Sequence, residues 1–193
     1  MRTDRMIGLI LGGLLAGCAS SPGGGGGGGT GTDVALAGGR VTVPVHRSFE
    51  IREDPRLGGA PDRIALRRAS RIRGSFENCT VRVIPIPVDS LEELTAPQIA
   101  SQLAARRHQT QAGSDGLHDV RLVSGQTADG QSIPHDVVEW SYTIERTMRA
   151  RERYWGLTSA DQRWVAHQSC TTVASPADLL VLEAATAPVF NLD

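Results

Sequence analysis

Hydrophobic and polar positions change period several times along the chain, and each change predicts an element. Ile7 to Ala16 is an unbroken apolar run, followed after Ala19 by a stretch with nothing to bury. Val41-Thr42-Val43-Pro44-Val45 alternates as a strand, with Pro44 favouring a sheet edge. Phe49 to Arg52 alternates as well, and a turn is expected at Asp54-Pro55 and Gly58 to Pro61. Ile64, Leu66 and Ile72 fit a strand, although Ile64, Ala65, Ala69 and Ile72 also fit a helix face; strand is preferred. Cys79 to Ile86 is a clearer strand. Ser90 and Glu93 have capping-box spacing, and Thr95 or Ala96 with Pro97 marks a helix start. Ile99, Leu103 and Ala104 give that helix its apolar face, with Arg106, Arg107 and His108 near its negative end. After Gly113 to Gly116 a meander is expected, through Val120 and Leu122, a turn at Asp129-Gly130, then Val138, Trp140, Tyr142 and Ile144 at period two. Strands around Tyr154 to Leu157 and Trp164 to Val173 follow, and Ser175-Pro176 opens a closing helix to about Ala185.

The order predicts an α+β domain: an antiparallel β-sheet with about two helices packed on one face. Element order across residues 41–190 loosely resembles the PsbP-like fold, a resemblance that carries no motif and no active site. The folded part is expected to be a single domain, residues 40–193, long enough for one core.

The start of the chain has a different chemistry. The apolar run of about ten residues has the length of a signal-peptide core; as a helix it rises roughly 15 Å, too little to cross a ~30 Å hydrocarbon layer. It ends at Leu15-Ala16-Gly17-Cys18, which resembles the lipobox of bacterial lipoproteins. That resemblance implies removal of residues 1–17, diacylglycerol on Cys18 and a membrane partner through the lipid. Ala19 after the cysteine, rather than Asp, resembles lipoproteins forwarded to the outer membrane, so its periplasmic face is the expected location; in an organism with one membrane it would be the outer side of the plasma membrane. Residues 18–39 read as a lipidated cysteine and flexible tether, with Gly23 to Gly29 unbroken. About 20 such residues have a root-mean-square span of about 25 Å. The run lacks the Gly-Lys-Ser/Thr ending of a phosphate loop.

Removing Arg2, Arg5 and Asp4 leaves 18 basic and 20 acidic residues. Neither that balance nor export favours a nucleic-acid partner. Cys79 and Cys170 remain as a pair in a compartment that permits disulfides; a bond between them or two separate buried thiols are both open readings. The five histidines show no metal-ligand spacing, and no cofactor or metal is expected. His118-Asp119 and His135-Asp136 put a base beside a carboxylate, but neighbours on a strand point to opposite faces. Arg63, Arg67, Arg71 and Arg73 would share one face of a strand and could bind an anionic envelope component. Arg146, Arg149, Arg151 and Arg153, interleaved with Glu145 and Glu152, read as a solvated face with cross-strand ion pairs. The expectation is a membrane-anchored, non-enzymatic binding or accessory module that engages an envelope protein or an anionic envelope component. The alternatives are a small-molecule or lipid binder with an aromatic-lined pocket between sheet and helix, and an envelope hydrolase.

Overall fold

A computed structural model describes residues 31–59, 62–87, 94–114, 116–127, 133–143, 145–159 and 162–192. The signal segment, Cys18, the glycine run, Ser90 with Glu93, the Asp129-Gly130 turn and Ile144 lie outside the described residues. Among those described, the strands are β1 (Thr32–Leu36), β2 (Val41–Val45), β3 (Glu50–Glu53), β4 (Arg63–Ala69), β5 (Phe76–Ile86), β6 (Leu117–Thr127), β7 (Pro134–Thr143), β8 (Thr147–Thr158), β9 (Arg163–Thr172) and β10 (Val189–Phe190). The helices are α1 (Ala96–Ala112), between β5 and β6, and α2 (Pro176–Ala185), between β9 and β10. The class is α+β, as expected.

Seven strands form an antiparallel sheet in the order β3-β4-β5-β9-β8-β7-β6, and a smaller sheet has the order β1-β2-β10. The turn chemistry explains where helices begin. The Thr95 hydroxyl accepts from the Gln98 N–H while the Gln98 side chain accepts from the Thr95 N–H, and Ser175 with Asp178 repeats the arrangement at α2. Pro97 and Pro176 sit in the first helical turns, where a missing N–H costs nothing.

Alternation along β5 and β9 then divides the residues between two faces. On one face Ile64, Leu66, Val81, Trp155, Leu157 and Ala166 meet Val34, Leu36, Val41 and Val43 of the small sheet and Leu179 and Leu182 of α2. On the other, Ile86, Val138, Tyr154 and Val165 meet Ala96, Ile99, Ala100 and Ala104 of α1. Fully burying one Val- or Leu-sized side chain contributes about 1.5–3 kcal/mol, so these two clusters carry most of the drive to fold. Gly156 lets the start of α1 lie directly on β8: an added Cβ there would stand 2.2 Å from the carbonyl carbon of Ala96.

The two helices therefore pack on opposite faces of the large sheet, which corrects the expectation of one shared face. Strands β8 and β9 are buried on both sides, so their sequences carry no hydrophobic alternation that could assign a helix to a face. The domain also starts earlier than residue 40. Val34 and Leu36 are fully buried in β1, and Ala37–Gly39 forms the tight connection to β2, so the stretch assigned to the tether is in part a structural strand. Cys79 and Cys170 occupy directly opposed positions on β5 and β9 and form a disulfide, with Cα atoms 4.2 Å apart. No helix of the described residues is long and apolar enough to cross a membrane.

Candidate functional site

Helix α1 lies mainly over β6, β7 and β8 and touches β9 and β5 at their Val165 and Ile86 end. Beside the helix, toward β4, is a cleft of about 320 Å³, lined by Arg63, Thr80, Arg82, Arg107, Glu152, Tyr154, His167 and Ser169. Strand register builds its floor as two adjacent rows. One row runs Arg63, Arg82, His167, Tyr154 across β4, β5, β9 and β8; the next runs Ala65, Thr80, Ser169, Glu152. Because all are at alternate positions in their strands, all project to the α1 side.

Glu152 is the hub. Its side chain is 2% exposed, and Arg107 reaches it from α1 with Nε at 3.0 Å and Nη2 at 2.8 Å from Oε1. The Trp140 indole N–H donates to the same oxygen at 3.1 Å. The Tyr154 hydroxyl donates to Oε2 at 2.8 Å, and His167 Nε2 stands 3.1 Å from it. Burial pushes the Glu152 carboxyl up, but the hydrogen bonds from His167, Arg107 and Tyr154 outweigh it and hold the group well below the ordinary carboxylate range. Burial and the Glu152 charge push the Tyr154 phenol up, so it remains a donor. Burial pulls His167 below its ordinary value, against the opposing pull of Glu152. The Arg82 Nε–H donates to His167 Nδ1 at 3.0 Å. With a donor at Nδ1 and an acceptor at Nε2, the neutral ring carries its proton on Nε2. The imidazole thus has neither a free lone pair nor a free proton for acid–base work.

A second depression of about 270 Å³ lies at the edge of the opposite face, between Asp119, Arg121, Glu139, Arg149 and Arg151 of the sheet and Pro176, Leu179 and Leu180 of α2.

The arginine stripe expected from the sequence is not one. Arg63 and Arg67 do share the α1-side face of β4, but the strand ends at Ala69, and Arg71 and Arg73 fall in the turn that follows. Arg63 pairs with Glu53 at 2.9 Å, Arg67 lies 3.3 Å from the Phe76 ring centroid, and Arg71 stands 3.5 Å from Asp178. The second cluster is solvated only in part: Arg146 is exposed, and Arg151 makes a cross-strand pair with Glu139 at 3.1 Å, as expected. Arg151 and Arg153 are largely buried beneath α2 on Glu183, at 3.0 and 2.6 Å. His135 and Asp136 do point to opposite faces, His135 stacking near Trp155 and Asp136 bonding Ser101 of α1. Cys170 faces away from His167 and is disulfide-bonded, which removes any nucleophile pairing of those two. The cleft around Glu152 is mainly polar, with Tyr154 and His167 as its ring-bearing walls. Among the described residues no group of three metal-ligating side chains comes together.

Arg82, Arg107, Glu152, Tyr154, His167 and Ser169 were not singled out as a site by the sequence. A partial signal was present: Glu152 with Tyr154, and His167 with Ser169, put polar groups two apart in strands otherwise made for burial.

No family model matches the chain, and no curated protein matches it. Solved structures do. LpqN of Mycobacterium tuberculosis, described as involved in cell envelope biogenesis, superposes with a TM-score of 0.50 at 12% identity, covering 80% of this chain and 84% of that one. The Ran-binding protein Mog1p of Saccharomyces cerevisiae gives 0.41 at 15% identity over 81% and 85%. Cyanobacterial PsbP from Synechocystis gives 0.48 at 16% identity over 91% and 100%. The LpqN likeness bears on the fold alone and agrees with the α+β class.

Proposed function

We propose that this protein is a lipid-anchored component of the bacterial cell envelope whose folded domain is a non-enzymatic binding or accessory module. The anchor is the lipidated Cys18 at the end of Leu15-Ala16-Gly17-Cys18, and the glycine run lets the domain sample space near the outer membrane. The similarity to LpqN, a protein tied by its description to envelope biogenesis, is consistent with that location.

One observation carries the preference for binding over catalysis. The cluster that most resembles catalytic machinery, Glu152 with His167 and Tyr154, is saturated by its own neighbours, while the cleft beside it is preformed and open. A general base must offer a lone pair to a substrate, and His167 has already committed its own to Arg82.

Replacement of Cys18 by serine tests the anchor. The variant should lose membrane association on fractionation; a Cys18→Ser protein that matures normally and stays with membranes would overturn it. Protein-dependent release of soluble fragments from purified envelopes would instead mark a hydrolase.

A further inference from the structure

We propose that the cleft between α1 and the β4–β5–β9 side of the large sheet binds a phosphate-class oxyanion, with the Arg82 guanidinium as its principal donor. This goes beyond the anchored-module reading and does not depend on where the protein is held.

Four features point the same way. First, Arg63 and Arg82 are directly opposed across β4 and β5, an arrangement of like charges that weakens a sheet unless something negative sits with them. Second, the carboxylates nearby balance only part of the charge. Glu53 is taken by Arg63 and Glu152 by Arg107, whereas Arg82 has no carboxylate partner among the described residues. Third, the His167–Glu152 pair fixes Arg82 by its Nε alone, which leaves the two Nη groups as a planar fork at an exposed position in the cleft. Such a fork matches two oxygens of a phosphate. Fourth, Thr80 and Ser169 are opposed in the adjoining row, half-buried, and no protein partner of either hydroxyl occurs among the described residues. Two guanidiniums and two hydroxyls provide more donors than a carboxylate could use, but suit the several oxygens of a phosphate.

The role assigned to His167 is positioning: it accepts from Arg82 and passes the restraint to the buried Glu152. The phosphate could belong to a soluble ester or to a lipid headgroup, since both offer the same oxygens. The buried Glu152 lies behind Arg107 and does not face an anion unshielded.

The test uses the purified full-length lipoprotein in nonionic detergent at constant ionic strength. Calorimetric titrations with inorganic phosphate and glycerol phosphate form one arm, and mixed micelles of phosphatidylglycerol or phosphatidylcholine the other. Saturable binding to the soluble esters identifies a soluble ligand class, and binding only to phosphatidylglycerol micelles identifies a headgroup; either supports the proposal. Arg82→Gln should weaken the binding at least about tenfold, the loss expected for a charge-assisted hydrogen-bond pair. Arg121→Gln, in the depression on the other face, should leave it unchanged. Near-UV circular dichroism of Arg82→Gln should match the parent, and His167→Gln, whose amide can accept from Arg82, should bind within about threefold of it. No saturable binding in either arm, equal binding to phosphatidylcholine micelles, or full binding by a folded Arg82→Gln protein overturns the proposal.

Discussion

Glu183 and Glu152 are both carboxylates almost wholly removed from solvent, 1% and 2% exposed, and they hold opposite faces of one sheet together. Glu183 lies on α2 and receives Arg151 and Arg153 from β8, over a floor that includes Gln168, Thr186 and the Cys79–Cys170 bridge. The small sheet and α2 cover that side, apart from the edge depression that Arg151 reaches. Glu152 lies on β8 itself and receives Arg107 from α1, His167 from β9, Trp140 from β7 and Tyr154 from its own strand. Its donors border an open cleft. The same device, a buried anion tied to cations, serves closure on one face and the back wall of a site on the other. Solvent access to the partners makes the difference, because a cation left alone beside a cleft can turn to water, while one beneath a helix cannot.

Breaking the covered face should have the largest effect. The disulfide joins residues 91 apart in sequence, and the chain-entropy model assigns such a loop about 4 kcal/mol. The Cys79→Ala/Cys170→Ala protein should lose about that much in urea unfolding monitored by tryptophan fluorescence. A loss under about 1 kcal/mol would show that closure of this face rests on packing alone.

A more direct contrast comes from neutralising each carboxylate in an isosteric way. Glu183→Gln removes the buried anion that Arg151 and Arg153 share, leaving Arg151 only the more exposed Glu139 as a carboxylate on its own sheet, and should cost about 3 kcal/mol. Glu152→Gln lets Arg107, whose side chain is 37% exposed, turn to water, but sets an amide N–H among the Tyr154, Trp140 and His167 donors, and should cost less, about 2 kcal/mol. Equal losses would mean that both networks are sealed to the same degree, and the distinction between the faces would fail.

Much of the fold was legible in the sequence, and the site was not, for reasons these two networks make plain. Caps and turn residues act on near neighbours, so Thr95-Ala96-Pro97 and Ser175-Pro176 announced both helices, and alternation announced most strands. The hidden strand β1 was masked by composition: Thr32 to Gly39 continues a glycine-rich stretch, and only Val34 and Leu36 carry its burial. Assigning the helices to opposite faces needs to know which side of β8 each one covers. Tyr154 and Trp155 are adjacent and both buried, so the pattern gives no side. The cleft draws Arg63, Arg82, Arg107, Glu152 and His167 from five elements, and only strand register puts the four on strands in two adjacent rows within reach of Arg107. The sequence showed the density of arginines but attached it to Arg71 and Arg73, because nothing local marked the end of β4 at Ala69. The two cysteines could be read as bonded or as separate buried thiols, and the register, which places them face to face, decides for the bond.

The smallest effect distinguishes the faces by acidity. His167 is held neutral in the fold mainly by burial, below its ordinary value of 6.5. The unfolded chain therefore takes up a proton at this residue as pH falls through 6.5 while the folded chain resists, so stability declines from that point downward. Glu152 is depressed below its ordinary 4.5, so its contribution is intact above that value and fades only as pH falls beneath it toward the folded-state value. Acid should therefore weaken the open face in two steps, the histidine first. Urea unfolding at pH 7.5, 6.0, 5.0 and 3.5 would resolve them. His167→Gln, which can still accept from Arg82 and donate to Glu152, should flatten the limb between about pH 6.5 and 5 and leave the lower one in place. If the upper limb persists unchanged in that variant, the neutral histidine is not its source, and the cleft's back wall is less acid-sensitive than its geometry implies.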